Sequence, residues 1–273
     1  KNIIYSVSII VALSIGVACF NAYQKYNIEN MKAPINNTTT KSVSEDSDTK
    51  NEPDAKKETT ETPAKINKVI VIDPGHANRS NLEKEPIAPN SSEMKIKDGG
   101  GTEGVVTKNP EYVVNMQVSL KLKSILEQRG YTVKMTKTSN SESLGNVERA
   151  DIWNKDNADL VIRIHADSSE SSGEKGASML IPDPINDNTK AIFNQSKLCG
   201  QVVLDTLTKE VGMRNKGVVQ RNDMTGFNWS GVPVILVEMG FLSNPDEDRL
   251  LGTEEYQNKI ALGLADGISA VMK

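Results

Sequence analysis

One stretch of the sequence constrains the fold more than any other: residues 69–72, Val-Ile-Val-Ile, followed by Asp73-Pro74-Gly75-His76. Four consecutive β-branched residues are typical of a strand that is buried on both faces of a parallel sheet. Pro74 and Gly75 end such a strand abruptly. His76 is therefore expected at the carboxyl end of the strand, where open α/β sheets bind their ligands.

Two other apolar runs also end in an ionisable side chain. The chain has only two histidines, and the second, His165, directly follows the apolar run at residues 160–164. Glu238 directly follows another run, at residues 233–237, and such a carboxylate is costly to bury without a partner. Because the carboxyl ends of parallel strands lie on one edge of a sheet, these side chains are expected to converge there.

Alternating strand and helix patterns predict the rest of the fold. Residues 66–273 are predicted to form a single α/β domain, with a mostly parallel twisted sheet flanked by helices on both faces. Residues 77–109 are predicted to form a polar loop. The glycines within residues 98–104 lack the Lys-Ser/Thr of a phosphate-binding loop, which favours a flexible surface loop beside the site. Apolar periodicity and end signals place the other elements as follows: helices at 110–129, 144–156, 191–211 and 254–272, and strands at 131–135, 159–165, 177–181 and 232–237.

The N-terminal part of the chain has a different composition. Residues 1–23 contain an uncharged apolar run from 3 to 20, close to the ~20 residues that span a bilayer. An uncleaved signal anchor is favoured, because the run exceeds the ~7–15 residues of a typical signal-peptide core. A cleaved signal peptide and a lipoprotein acylated at Cys19 are the alternatives. Residues 24–65 are polar and are predicted to be a disordered linker that tethers the domain outside the membrane.

Charge and composition exclude one class of partner. The net charge is −4 and aromatic residues make up 4% of the chain, so neither electrostatics nor base stacking favours nucleic-acid binding. Two cysteines, Cys19 and Cys199, do not form a disulfide framework.

The converging residues predict a metal site. Two imidazoles and one carboxylate, with an open fourth position, form a catalytic zinc site, and a further carboxylate can act as general base. Glu111 opens the helix that follows the first strand, and on its own such a residue is more often a helix-end carboxylate that interacts with the helix dipole than a metal ligand. Asp73 is interpreted as a turn cap or as the residue that holds His76. Arg163 is interpreted as an ion-pair partner.

Four segments resemble the motifs of the zinc-dependent N-acetylmuramoyl-L-alanine amidases. They are residues 71–76, the helix from Glu111 to Tyr131, residues 164–167 and residues 237–244, and the resemblance extends from residue 68 to 272. It implies zinc held by His76, Glu111 and His165, with Glu238 as the catalytic carboxylate. The chain departs from the family pattern in its longer loop at 77–109 and in Asp167, where asparagine is more usual. Glu103, within that loop, is a rival to Glu111 as the carboxylate ligand. Glu111 is favoured because the start of a helix holds a side chain more firmly than a glycine-rich loop.

The resemblance also implies a function. The expected reaction is hydrolysis of the amide between N-acetylmuramic acid and the L-alanine of the peptidoglycan stem peptide. The alternatives are a zinc peptidase acting on stem-peptide bonds and a non-catalytic peptidoglycan-binding module. We expect a monomer at the outer face of the bacterial cytoplasmic membrane or in the cell wall, either anchored through its N-terminal segment or secreted, and open to regulation by an activator protein.

Overall fold

The computed structural model describes residues 65–273. The predicted membrane segment at 1–23 lies outside the described residues, as does the predicted linker at 24–65 apart from Lys65. Within residues 65–273, no helix is both long and apolar enough to cross a bilayer. The described elements, in chain order, are β1 (Val69–Pro74), β2 (Asn81–Pro86), β3 (Met94–Asp98), α1 (Glu111–Gln128), β4 (Thr132–Met135), α2 (Asn146–Lys155), β5 (Leu160–Asp167), β6 (Ala177–Pro182), α3 (Asp187–Val211), β7 (Asn215–Arg221), α4 (Thr225–Asn228), β8 (Val234–Phe241), α5 (Pro245–Leu251) and α6 (Glu254–Val271).

A six-stranded sheet with the order β4-β1-β5-β8-β6-β7 forms the centre of the domain. β1 pairs in parallel with β4 and β5, and β5 pairs in parallel with β8. β6 runs antiparallel to β8 and parallel to β7. The prediction of a mostly parallel sheet is confirmed, with one antiparallel junction that makes the sheet mixed. The carboxyl ends of β1, β5 and β8 lie side by side.

Helices cover both faces of this sheet, as predicted. Ile70 and Ile72 of β1 belong to the core that α1, α3 and α6 cover. Val71 lies on the opposite face, in a smaller core with Trp153 of α2 and Phe227 of α4. Successive side chains of a strand point to opposite faces, so the run at 69–72 has to be apolar throughout.

Two of the differences between predicted and observed boundaries concern the start of a helix and the end of a strand. Helix α3 begins at Asp187 rather than at residue 191, because the Asn186 side chain caps it by accepting a hydrogen bond from the Thr189 amide. Strand β8 continues to Phe241, so Glu238 lies inside the strand and not after it. Phe241 pairs with Asp167 of β5, so the pairing of β5 and β8 continues beyond the apolar run. Backbone hydrogen bonds between strands do not require apolar side chains, so the apolar pattern did not predict this extension.

The prediction that residues 77–109 form one polar loop is wrong for the part that contains β2 and β3. β2 and β3 form an antiparallel hairpin within it. Both strands are short, charged and largely exposed, so apolar periodicity gave no signal for them. The hairpin is fixed to the domain by Glu85, whose carboxylate accepts hydrogen bonds from the amides of Asn146 (2.8 Å) and Val147 (3.1 Å) at the start of α2. The Trp229 indole adds a hydrogen bond to the Pro86 carbonyl (2.9 Å).

A buried ionic cluster joins β1, β5 and α2 just below the carboxyl edge. Asp73 is fully buried and accepts hydrogen bonds from Arg149 Nη1 (2.6 Å), Arg163 Nε (2.7 Å) and Thr136 Oγ1 (2.5 Å). Burial alone would raise the pKa of the Asp73 carboxyl, but the two guanidinium groups hold that pKa well below its usual range. Asp73 therefore supports the sheet edge rather than His76, and Arg163 is the ion-pair partner that the sequence predicted.

Replacing Asp73 by asparagine is expected to destabilise the domain by about 3 kcal/mol or more, because two buried guanidinium groups would lose their counter-ion. The measurement is urea unfolding of Asp73→Asn, followed by the fluorescence of Trp153 and Trp229. Glu255→Gln is the control, since Glu255 pairs with Lys259 on the exposed surface of α6 and its replacement should leave the free energy of unfolding close to that of the wild type. Equal stability of the two variants would contradict the structural role of Asp73.

Candidate metal centre

His76 is held in an uncommon backbone conformation just beyond β1. Its φ of 58° lies in the left-handed region, which residues other than glycine seldom adopt. The buried Lys137 ammonium donates a hydrogen bond to the His76 carbonyl. The preceding residue must be glycine, because a Cβ atom on Gly75 would lie 2.3 Å from Cε1 of His165. These contacts fix the direction in which the His76 ring leaves the strand end.

The second imidazole and the predicted catalytic carboxylate lie on neighbouring strands. His165 of β5 and Glu238 of β8 are partners in the parallel register. The rings of His76 and His165 meet edge to face, with centroids 4.9 Å apart and an interplanar angle of 83°. The sheet therefore brings together three side chains that are far apart in the sequence.

Glu111 completes this group from the first turn of α1. Its Oε1 atom lies 3.1 Å from His165 Nδ1, and its Oε2 atom lies 3.4 Å from His76 Nε2. The Asn115 side chain and the Thr102 amide each donate a hydrogen bond of 3.1 Å to the carboxylate. Burial would raise the pKa of Glu111, but the hydrogen bond from His165 and the nearby imidazoles lower it to about 2. Glu111 is therefore ionised at neutral pH.

These three residues fit a metal ion. His76, Glu111 and His165 each offer one ligand atom, and the three atoms lie within 4.8 Å of one another. His165 Nε2 is buried and has no hydrogen-bond partner in the described part of the chain. Burial lowers the pKa of His165 to about 4, so the ring is neutral at pH 7 and can donate an electron pair. Two imidazoles and one carboxylate match the ligand set of catalytic zinc.

The rival ligand is placed elsewhere. The Glu103 side chain is 61% exposed and lies 3.7 Å from Lys108, in a surface ion pair. It is absent from the group of potential ligands found among residues 65–273.

Glu238 lines the same cavity as the three candidate ligands, a space of about 240 Å³. One of its carboxylate oxygens, Oε2, is buried without a hydrogen-bond partner among the described residues. Burial raises the pKa of Glu238 well above its usual value, and the negative charges of Glu111 and Asp167 raise it further. A cation in this cavity would offset that repulsion and favour the ionised form.

Two supporting residues were not identified from the sequence. Asp98, the last residue of β3, accepts a hydrogen bond from His76 Nδ1 at 2.7 Å. At Gly101, a Cβ atom would lie 2.8 Å from Glu111 Oε2 and 2.9 Å from His76 Cδ2, so only glycine fits beside the two candidate ligands. The glycine-rich stretch has no regular secondary structure and lies beside the site, as predicted, where Gly101 and Thr102 line the cavity. A carboxylate directly before those glycines was the only available signal.

A family model described as N-acetylmuramoyl-L-alanine amidase matches residues 70–270. The chain belongs to this amidase family. The match contains His76, Glu111, His165 and Glu238, together with the hairpin that carries Asp98.

Known relatives agree with this assignment to the amidases. The probable cell wall amidase LytH of Staphylococcus saprophyticus is 26% identical over 203 residues, which are 74% of this chain and 58% of that protein. The chain thus aligns with little more than half the length of that curated relative.

Among solved structures, Ami1 amidase of Mycobacterium abscessus has the same fold, with a TM-score of 0.68, 24% identity and coverage of 76% of this chain and 100% of that one. The CwlD amidase of Clostridioides difficile, solved in complex with the GerS lipoprotein, gives a TM-score of 0.61 at 25% identity, covering 75% of this chain and 98% of that one.

In this amidase-family chain, Glu111→Gln is expected to weaken zinc affinity by more than about 100-fold, because even partners outside the ligand set contribute about 10–100-fold. Competition with a chromophoric chelator measures the affinity. The matched control is Glu103→Gln, which removes the charge of the rival carboxylate and should leave the affinity within twofold of wild type. If Glu103→Gln weakened zinc affinity and Glu111→Gln did not, the carboxylate ligand would be Glu103 instead of Glu111.

Proposed function

We propose that this chain hydrolyses the amide between N-acetylmuramic acid and the L-alanine of the peptidoglycan stem peptide, with a zinc ion held by His76, Glu111 and His165. The observation that carries the proposal is the placement of Glu238 in one cavity with these three potential ligands. Membership of the amidase family supports this choice of bond. A module that only bound peptidoglycan would need neither the ligand set nor a buried carboxylate beside it.

The chemistry divides between the ion and the protein. A zinc ion in this site would act as a Lewis acid that makes a water molecule nucleophilic near neutral pH. Glu238 accepts a proton from that water molecule as the water oxygen attacks the carbonyl carbon of the amide. It then returns the proton to the amide nitrogen as the C–N bond breaks, which releases the amine of L-alanine and leaves a carboxylate on the lactyl group.

The protein prepares Glu238 for both steps. Its position in β8, in register with His165 of β5, fixes the distance between the carboxylate and the metal-binding edge. Burial and the charges of Glu111 and Asp167 raise the pKa of Glu238, which increases its strength as a base. A carboxylate that binds a proton more tightly than usual can hold that proton between attack and departure.

The wider setting is also part of the proposal. The relative named cell wall amidase supports action in the bacterial cell wall. The structure of CwlD in complex with a lipoprotein supports regulation by a protein partner. Attachment to the membrane through residues 1–23 remains a prediction from the sequence alone.

Digestion of purified peptidoglycan by the full chain is expected to release complete stem peptides with a free L-alanine amine, as measured by mass spectrometry. Chelation of the metal should abolish the release, and added zinc should restore it. Shorter peptides would instead indicate a zinc peptidase. Sedimentation with peptidoglycan but no released peptide would indicate a binding module and would contradict the proposed reaction.

The same digestion tests the role of Glu238. Glu238→Gln keeps the size of the side chain but cannot accept the proton, so the rate of peptide release should fall by about 10²–10⁴-fold while the bound zinc stays at one per chain. Glu103→Gln is the control and should keep the wild-type rate. A wild-type rate for Glu238→Gln would contradict the assigned role.

A further inference from the structure

We propose that Asp98 is a positioning residue for the metal site: its carboxylate selects the tautomer of His76 and orients the ring so that Nε2 faces Glu111. This inference rests on the proposed metal site and adds a residue from outside the ligand set. Its basis is the hydrogen bond of 2.7 Å between His76 Nδ1 and Asp98 Oδ1.

The tautomer follows from the chemistry of the two groups. An ionised carboxylate can only accept hydrogen bonds, so His76 Nδ1 must donate. The proton of the neutral imidazole is then on Nδ1, and the lone pair is on Nε2, the atom that lies 3.4 Å from Glu111 Oε2. Metal-binding histidines commonly donate their other ring N–H to a carboxylate in this way, which fixes the ring and increases its basicity.

Asp98 is itself held firmly. Oδ1 also accepts a hydrogen bond of 2.9 Å from the Gly100 amide, and the residue is 7% exposed. Asp98 ends β3, and the preceding Lys97 carbonyl accepts a hydrogen bond of 2.7 Å from the Asn146 side chain of α2. The hairpin of β2 and β3 thus connects the His76 ring to the rest of the domain, and this gives the unpredicted hairpin a function.

The surroundings of Asp98 are unfavourable for a carboxylate whose only role is to stabilise the fold. Its second oxygen, Oδ2, is buried and has no hydrogen-bond partner among residues 65–273. A buried polar atom without a hydrogen-bond partner destabilises the folded state, and a charged one does so more strongly. Asparagine would keep the acceptor oxygen for Gly100 and His76 without burying a charge. A carboxylate at this position is explained by its hydrogen bond with His76 Nδ1, which orients the ring and increases its basicity.

The test compares Asp98→Asn and Asp98→Ala with the wild-type full chain. Zinc affinity is measured by competition with a chromophoric chelator, and the tautomer of His76 is measured by NMR of ¹⁵N-labelled histidine in the metal-free protein. Thermal unfolding of the metal-free protein reports on the fold. Glu83→Gln is the matched control, because Glu83 is an exposed carboxylate on the same hairpin, paired with Lys97 at 2.9 Å.

Zinc affinity should fall by about 10–100-fold for Asp98→Ala, and by less for Asp98→Asn, which keeps an acceptor. The alanine variant should lose the uniform Nδ1–H form of His76. The midpoint of thermal unfolding of Asp98→Asn should stay at or above the wild-type value, which separates positioning from a structural role. Glu83→Gln should match wild type in all three measurements.

The proposal is overturned if the zinc affinity of Asp98→Ala is within twofold of the wild-type value, or if His76 has the same tautomer in Asp98→Ala and in the wild type. If Asp98→Ala does not fold, an Asp98→Asn protein with unchanged zinc affinity overturns it equally. Failure of the wild-type chain to bind zinc is a different result, because it contradicts the metal site itself.

Discussion

A buried carboxylate between two imidazoles is the interaction on which the site depends. Glu111 is 4% exposed, yet its pKa is lowered to about 2 because His165 and His76 lie against its two oxygens. A charge buried at this depth is stable only where its partners are fixed in place. β1 and β5 fix the two histidines, and hydrogen bonds between the backbone of Thr102 and both the amide and the carboxylate of Glu111 fix Glu111. Most of the local structure at this edge of the sheet serves that requirement.

Asp73 and Glu238 show how the surroundings of a carboxylate decide its role. Asp73 lies between two guanidinium groups, so its pKa is lowered and it stays charged at neutral pH. The carboxyl group of Glu238 is withdrawn from water and has two carboxylates nearby, so its pKa is raised and it can exchange a proton. The first arrangement supports the fold, and the second is suited to proton transfer. The two residues are on strands of the same sheet, separated only by β5.

Much of this arrangement could be predicted from the sequence, for physical reasons. A strand buried on both faces must be apolar throughout, so β1, β5 and the first half of β8 were visible, and their ends located His76, His165 and Glu238. Asp98 and Glu85 could not be found in this way. They lie on a charged hairpin whose large apolar residues (Leu82, Met94 and Ile96) are all exposed, and their partners are 22 and 61 residues away in the chain. Only the folded structure shows that this hairpin supports a histidine.

The central claim is that His76, Glu111 and His165 hold one zinc ion beside Glu238. Anomalous X-ray scattering from crystals of the zinc-loaded protein, recorded on both sides of the zinc absorption edge, tests it most directly. The account predicts one peak per chain within bonding distance of these three residues, about 2.0–2.2 Å from each ligand atom. A peak bound to Glu103 instead of Glu111, or no peak at this edge of the sheet, would contradict it.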